Sequence, residues 1–96
     1  MPADEISARR AWAWKMLDRT SRGDVEGHFR RACLLTMHLE NHFLFQGIWY
    51  PGSKIAFETV RGTDTRTLAL FENALAPNAS LHAITALVEH VNGRRS

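Results

Sequence analysis

The chain has 96 residues, 45% of them hydrophobic and 23% charged, with one cysteine and a formal net charge of +2. That length closes one core and hides roughly two-thirds of the unfolded surface, so a single domain, residues 1–96, is expected and disorder is excluded. The lone Cys33 excludes a disulfide framework and four-cysteine zinc sites, no apolar run reaches the roughly 20 residues of a membrane span, and so small a charge does not point to nucleic acid.

The N-terminal MPADEISARR carries acids and arginines where a signal peptide carries an apolar stretch, so the expected compartment is the cytoplasm. Residues 4–22 lack Gly and Pro and are rich in helix formers, which predicts a first helix closed at Gly23. Trp12 and Trp14 stand about 200° apart on that helix. One packs inward, and the other meets a partner or a second buried side.

Asp24 is a good N-cap for a long helix running to Gln46, about 33 Å. Gly27 weakens its first turn and argues for a later start. Val25, Phe29, Ala32, Thr36, Leu39 and Phe43 recur at steps of three and four, which predicts the buried stripe, widened by Cys33, Met37 and Leu44.

Residues 47–54, GIWYPGSK, form the densest turn signal. Pro51-Gly52 suits a type II turn, and Ser53 suits the cap of a short helix through Val60, ended by Arg61-Gly62. Asp64 or Thr63 caps the next helix, Thr65 to Leu75, with Pro77 beyond. Ser80 caps a last helix from Leu81 to Asn92, closed by Gly93. Its apolar face is Leu81, Ile84, Leu87, Val88 and Val91, and the tail Arg94-Arg95-Ser96 is expected to fray. No segment alternates with period two, so the expected fold is all-α, a single helical bundle of four to five helices.

Several groupings carry possible chemistry. His38 and His42, at i and i+4, share a face and are the metal candidates, with His82 or His90 as a third ligand. The acid of the zinc-protease order is missing, so ordinary helix histidines are the favoured reading and no cofactor is expected. The pairs Arg9-Arg10, Arg30-Arg31 and Arg94-Arg95 read as solvated faces more readily than as one basic patch. Trp49, Tyr50 and Lys54 offer stacking and charge to a planar or anionic ligand, or else the two aromatics plug the end of the bundle.

Arg31 and His38 lie two turns apart and resemble the Arg-His signature of the HEPN ribonucleases, which are small helical bundles. That resemblance implies an RNase toxin, dimeric, in which Arg31 stabilises phosphoryl charge and His38 moves a proton. The residue after Arg31 is Ala32, where that family usually has a polar side chain.

The run RRACLLTMHLENHFLFQGIWYPGSKIAFETVRGTDTRTLALFENAL, residues 30–75, covers about half the chain. It resembles the helical C-terminal domain of bacterial nucleotidyltransferases, the DUF4037 group among them. The matching elements are Phe43, Trp49, Tyr50, Pro51, Gly52, Lys54 and the helix from Leu68 to Leu75. The resemblance implies a non-catalytic module that packs against a nucleotidyltransferase-type partner chain, or forms a homodimer, and completes a substrate cleft. Trp49, Tyr50, Lys54 and either Trp12 or Trp14 would serve ligand or partner. It implies no catalysis here, because Gly52-Ser53 is followed by Asp64 but then by Arg66 instead of a second metal-binding carboxylate.

Overall fold

The computed structural model describes residues 1–93; the tail Arg94-Arg95-Ser96, expected to fray, lies outside the described residues. Within them the chain is all-α, with five helices and no strand: α1 Ala3–Thr20, α2 Val25–Leu44, α3 Ser53–Thr63, α4 Thr65–Leu75 and α5 Leu81–Asn92.

Polar caps set most of the starts. Asp24 Oδ1 accepts from the Gly27 N–H at 2.8 Å, so α2 begins at Val25 despite the glycine. Gly27 is itself buried, and a Cβ there would meet Asp24 Oδ1 at 3.3 Å and the Arg19 carbonyl at 3.5 Å. The missing side chain is what lets the end of α1 approach the first turn of α2. Asp64 caps α4 through the Thr67 N–H, and Ser80 caps α5 through the Ala83 N–H. The expected cap at Ser53 is corrected: Ser53 is the first residue of α3, and Gly52 holds the cap position at φ 93°, a conformation glycine adopts without strain. Nor does α3 end at Val60, since Gly62 is helical within it.

The C-terminus of α2 closes in a Schellman arrangement. Ile48 N–H donates to the Phe43 carbonyl and Gly47 N–H to that of Leu44, both at 3.0 Å, with Gly47 at φ 74°. This turns the chain out of the helix and presents residues 48–52 at the end of the bundle.

α1 packs on α2 and on α5, which explains the two tryptophans: Trp12 and Trp14 are both half-buried against the core. The helix is covered on two sides within one molecule. α4 leans on α5 and on α3, and α5 also meets α2. The core joins Met16 of α1, Leu34 of α2, Val60 of α3, Phe71 of α4, and Leu87 and Val88 of α5.

Of the six residues of the stripe expected to be buried on α2, two are buried. Leu39 and Phe43 are buried, but Val25 is 85% exposed and Phe29 64%, and Ala32 and Thr36 also face solvent. The buried side of α2 runs instead through Leu34, His38 and Asn41. On α5, Leu81 is exposed while Ile84, Leu87, Val88 and Val91 are buried as the spacing predicts.

Candidate functional site

The segment from Trp49 to Lys54 divides. Trp49 is 85% exposed, whereas Tyr50 turns back onto the bundle, edge-on to Phe43 with ring centroids 6.0 Å apart. Lys54, in the first turn of α3, is exposed, as is Ile55 beside it. Tyr50 therefore closes the end of the bundle while Trp49 and Lys54 are offered to solvent.

Arg31 and His38 occupy different environments. His38 is fully buried; its Nδ1 donates to the Leu34 carbonyl at 2.7 Å, and its Nε2 lies 2.8 Å from Asn92 Nδ2. Desolvation pulls its pKa below the ordinary histidine value. Neither ring nitrogen is free to exchange a proton with a substrate. Arg31 Nη2 donates to the carbonyls of Ala74 at 3.0 Å and Ala76 at 2.9 Å, clamping the end of α4 to α2. The two side chains share a helix but not a site.

His42 is half-buried and faces His90, the rings stacked with centroids 6.3 Å apart. Burial lowers the His42 pKa, opposed by the Asp64 carboxylate and assisted by His90. Thr67 Oγ1 sits 2.6 Å from Asp64 Oδ2 and 2.7 Å from His90 Nε2. The Thr67 hydroxyl donates to Asp64, and with the Thr67 N–H it holds the Asp64 carboxyl below its usual range; with its proton so committed, the hydroxyl accepts from His90 Nε2–H. Because His38 is engaged at both nitrogens, it cannot join His42 on a metal. His82 is exposed, and no group of three or more His, Cys, Asp or Glu among the described residues is placed to hold a metal ion.

Concave surface lies elsewhere: two adjoining cavities are bordered by α2 on one side and by α3 or the end of α4 on the other. One of about 290 Å³ is lined by His28, Arg31, Ala32, Leu35, Thr36 and the chain end of α4 from Leu75 to Pro77. The next, about 150 Å³, adds Leu39, Tyr50, Ser53 and Phe57 to Leu35, Thr36 and Leu75. A third, about 440 Å³, lies against α3 and α4 alone, along Phe57, Arg61, Leu68, Glu72 and Leu75. Leu75, 47% exposed, borders all three.

Trp49, Tyr50 and Lys54 stand out in the sequence, whereas Leu35, Phe57 and Leu75 carry no mark there of lining a cavity. The signal for the cavities was there in Ala32 and Thr36, small residues in a stripe of large ones. Searches against protein-family models, curated proteins and solved structures return no match for this chain.

Proposed function

We propose that the chain is a non-catalytic helical module that docks on a partner protein, of nucleotidyltransferase type on the resemblance of residues 30–75, and helps to complete a substrate cleft. The observation that supports this reading is the pair of adjoining, mainly apolar cavities that α2 forms with α3 and the end of α4, with Trp49 exposed at the end of the bundle. Exposed aromatics and contiguous apolar concavities cost a lone protein solubility and commonly mark interaction surfaces. The exposed Lys54 at the start of α3 adds a positive charge beside the apolar end.

A catalytic role for the chain alone has less support. Asp64 is committed to capping α4, Arg66 follows it, and His38 is enclosed in the core. The homodimer remains the rival assembly under the same reading of the surface.

The test is the solution mass of the purified chain by light scattering, alone and mixed with the product of an adjacent reading frame. A stable mixed complex that weakens in Trp49→Ala and Lys54→Ala, with helical content unchanged, is the expected result. Binding unaffected by either substitution removes the role of this surface. An RNA-cleavage assay runs in parallel; activity lost cleanly in a folded His38→Gln would favour the ribonuclease reading instead.

A further inference from the structure

We propose that Asn92-Gly93 is a deamidation site that α2 and α5 together keep latched, and that its conversion to aspartate or isoaspartate unlatches the end of α5. Nothing in this depends on the docking surface. Of the four asparagines, Asn41, Asn73, Asn78 and Asn92, only Asn92 precedes a glycine. Glycine has no Cβ to obstruct the approach of its backbone nitrogen to the preceding side chain, and its freedom in φ lets a five-membered ring close there. In the unfolded chain this amide is therefore the most labile of the four.

In the folded chain three hydrogen bonds hold the reacting atoms apart. Asn92 is buried and helical. Its Nδ2 donates to His38 Nε2 and to the Val88 carbonyl, each at 2.8 Å, so the amide turns toward Gly93 only by releasing both α2 and its own helix. The nucleophile is tied as well: Gly93 N–H donates to the Glu89 carbonyl at 2.8 Å, which holds the proton that must leave. The latch has a weak point. Asn92 Oδ1 is buried without a partner among the described residues, and an unpaired buried acceptor favours an opening that gives it water. The site also lies in the last turn of α5, and helix ends open before helix centres.

Once open, the chemistry needs only water. Hydroxide takes the Gly93 amide proton and the nitrogen attacks Asn92 Cγ. The N–Cγ bond forms, the Cγ–Nδ2 bond breaks, and ammonia leaves with a proton from water. One water then opens the succinimide at either carbonyl, to aspartate or to isoaspartate. Overall one water is consumed and one ammonia released, with no change of oxidation state. Neither product relatches. A carboxylate has no proton for His38 Nε2 or for the Val88 carbonyl; it finds a partner only if His38 takes up a second proton, and it still faces Val88. Isoaspartate also lengthens the backbone by one carbon where Gly93 turns at φ 80°.

The experiment incubates the full chain at mildly alkaline pH, folded and in concentrated urea, and follows each asparagine by peptide mass mapping, with isoaspartate separated by chromatography. In urea Asn92 is expected to convert before the other three asparagines. In the folded chain its rate should fall at least about tenfold and should scale with hydrogen exchange of the Gly93 amide as sub-denaturing urea is added, since one opening exposes both. His38→Leu, which removes the acceptor on α2, should speed conversion in the folded chain; if that variant does not fold, the proportionality in the parent decides. Asn92→Asp should melt below the parent at the same pH. Equal rates folded and in urea overturn the latch, and another asparagine converting first in urea overturns the site. A folded His38→Leu that converts no faster overturns the tie to α2. An Asn92→Asp chain as stable as the parent overturns the unlatching.

Discussion

Asn92 Nδ2 donates to His38 Nε2 at 2.8 Å and also to the Val88 carbonyl at 2.8 Å, so α5 delivers a polar amide into the buried face of α2. The pairing fixes the tautomer: Nε2 accepts, and Nδ1 carries the proton given to Leu34. A protonated ring would face the amide donor with a second N–H and leave one of them without an acceptor. Burial and this pairing together make the neutral ring part of the folded state.

Stability should therefore fall with acid. Desolvation sets the folded pKa of His38 below its ordinary 6.5, so between 6.5 and that lower value the unfolded chain binds the extra proton. The contribution is complete above 6.5 and is lost as pH drops through the window. His42, lowered chiefly by burial, acts in the same sense. Thermal unfolding followed from about pH 7.5 to about pH 5 should show a falling Tm, and His38→Gln should flatten the slope. A variant as acid-sensitive as the parent would assign the effect to other groups.

Arg31 joins two helices that otherwise stand apart. Its Nη2 satisfies the carbonyls of Ala74 and Ala76, where α4 has run out of intrahelical donors and its dipole is negative. Arg31→Ala should cost about 1–3 kcal/mol and Arg31→Lys less, since an ammonium keeps the charge but loses the fork. Denaturant midpoints give the cost, and hydrogen exchange should show the last turn of α4 opening first. Uniformly faster exchange would mean that the clamp is not local.

What the sequence conveyed and what it hid both trace to α2. Caps at Asp24, Asp64 and Ser80 are local chemistry, and Thr65–Leu75 and Leu81–Asn92 form with the bounds that chemistry predicts. The three-four spacing of Val25, Phe29, Ala32 and Thr36 shows that these residues share a face, but not whether another helix covers it. The face that is covered contains His38 and Asn41, which look polar in sequence; Leu34 and Asn92 pair with both ring nitrogens of His38, and Arg9 donates to Asn41 Oδ1, from near and far along the chain. Long-range polar pairing leaves no periodic trace. The cavities were hidden for the same reason, because they depend on where α3 and α4 lean.

Asp64 does two things at once, capping α4 and holding the Thr67 hydroxyl that meets His90. Asp64→Ala should cost about 1 kcal/mol, typical of a lost N-cap, and Asp64→Asn much less. Equal costs for the two would show that the charge, and not the cap, carries the stability. The mainly solvent-facing carboxylate has its pKa lowered by Thr67, so its contribution is present above 3.8 and lost as pH falls below it.

Gly62 is exposed within α3, at ordinary helical backbone angles, and a Cβ there would meet nothing within 4 Å. Gly62→Ala should therefore stabilise the chain by about 0.5–1 kcal/mol, through lower unfolded-state entropy and better helix propensity. Denaturant unfolding reads the change directly, and a loss of stability would mean that the last turn of α3 is not helical in solution.

Trp49 and Tyr50, adjacent in sequence, should answer mutation in opposite ways. Trp49 is 85% exposed, so Trp49→Ala should leave stability within about 0.5 kcal/mol. The same substitution should remove most of the quencher-accessible tryptophan fluorescence, because Trp12 and Trp14 are half-buried against the core. Tyr50 packs edge-on to Phe43 and lines the cavity between α2 and α3, so Tyr50→Ala loses the aromatic pairing, about 0.5–1.5 kcal/mol, in addition to its apolar contact. If Trp49→Ala instead destabilises the free chain as much as Tyr50→Ala does, Trp49 packs against the bundle in solution. It would then be unavailable to a partner, and the docking surface would have to be drawn from the cavities alone.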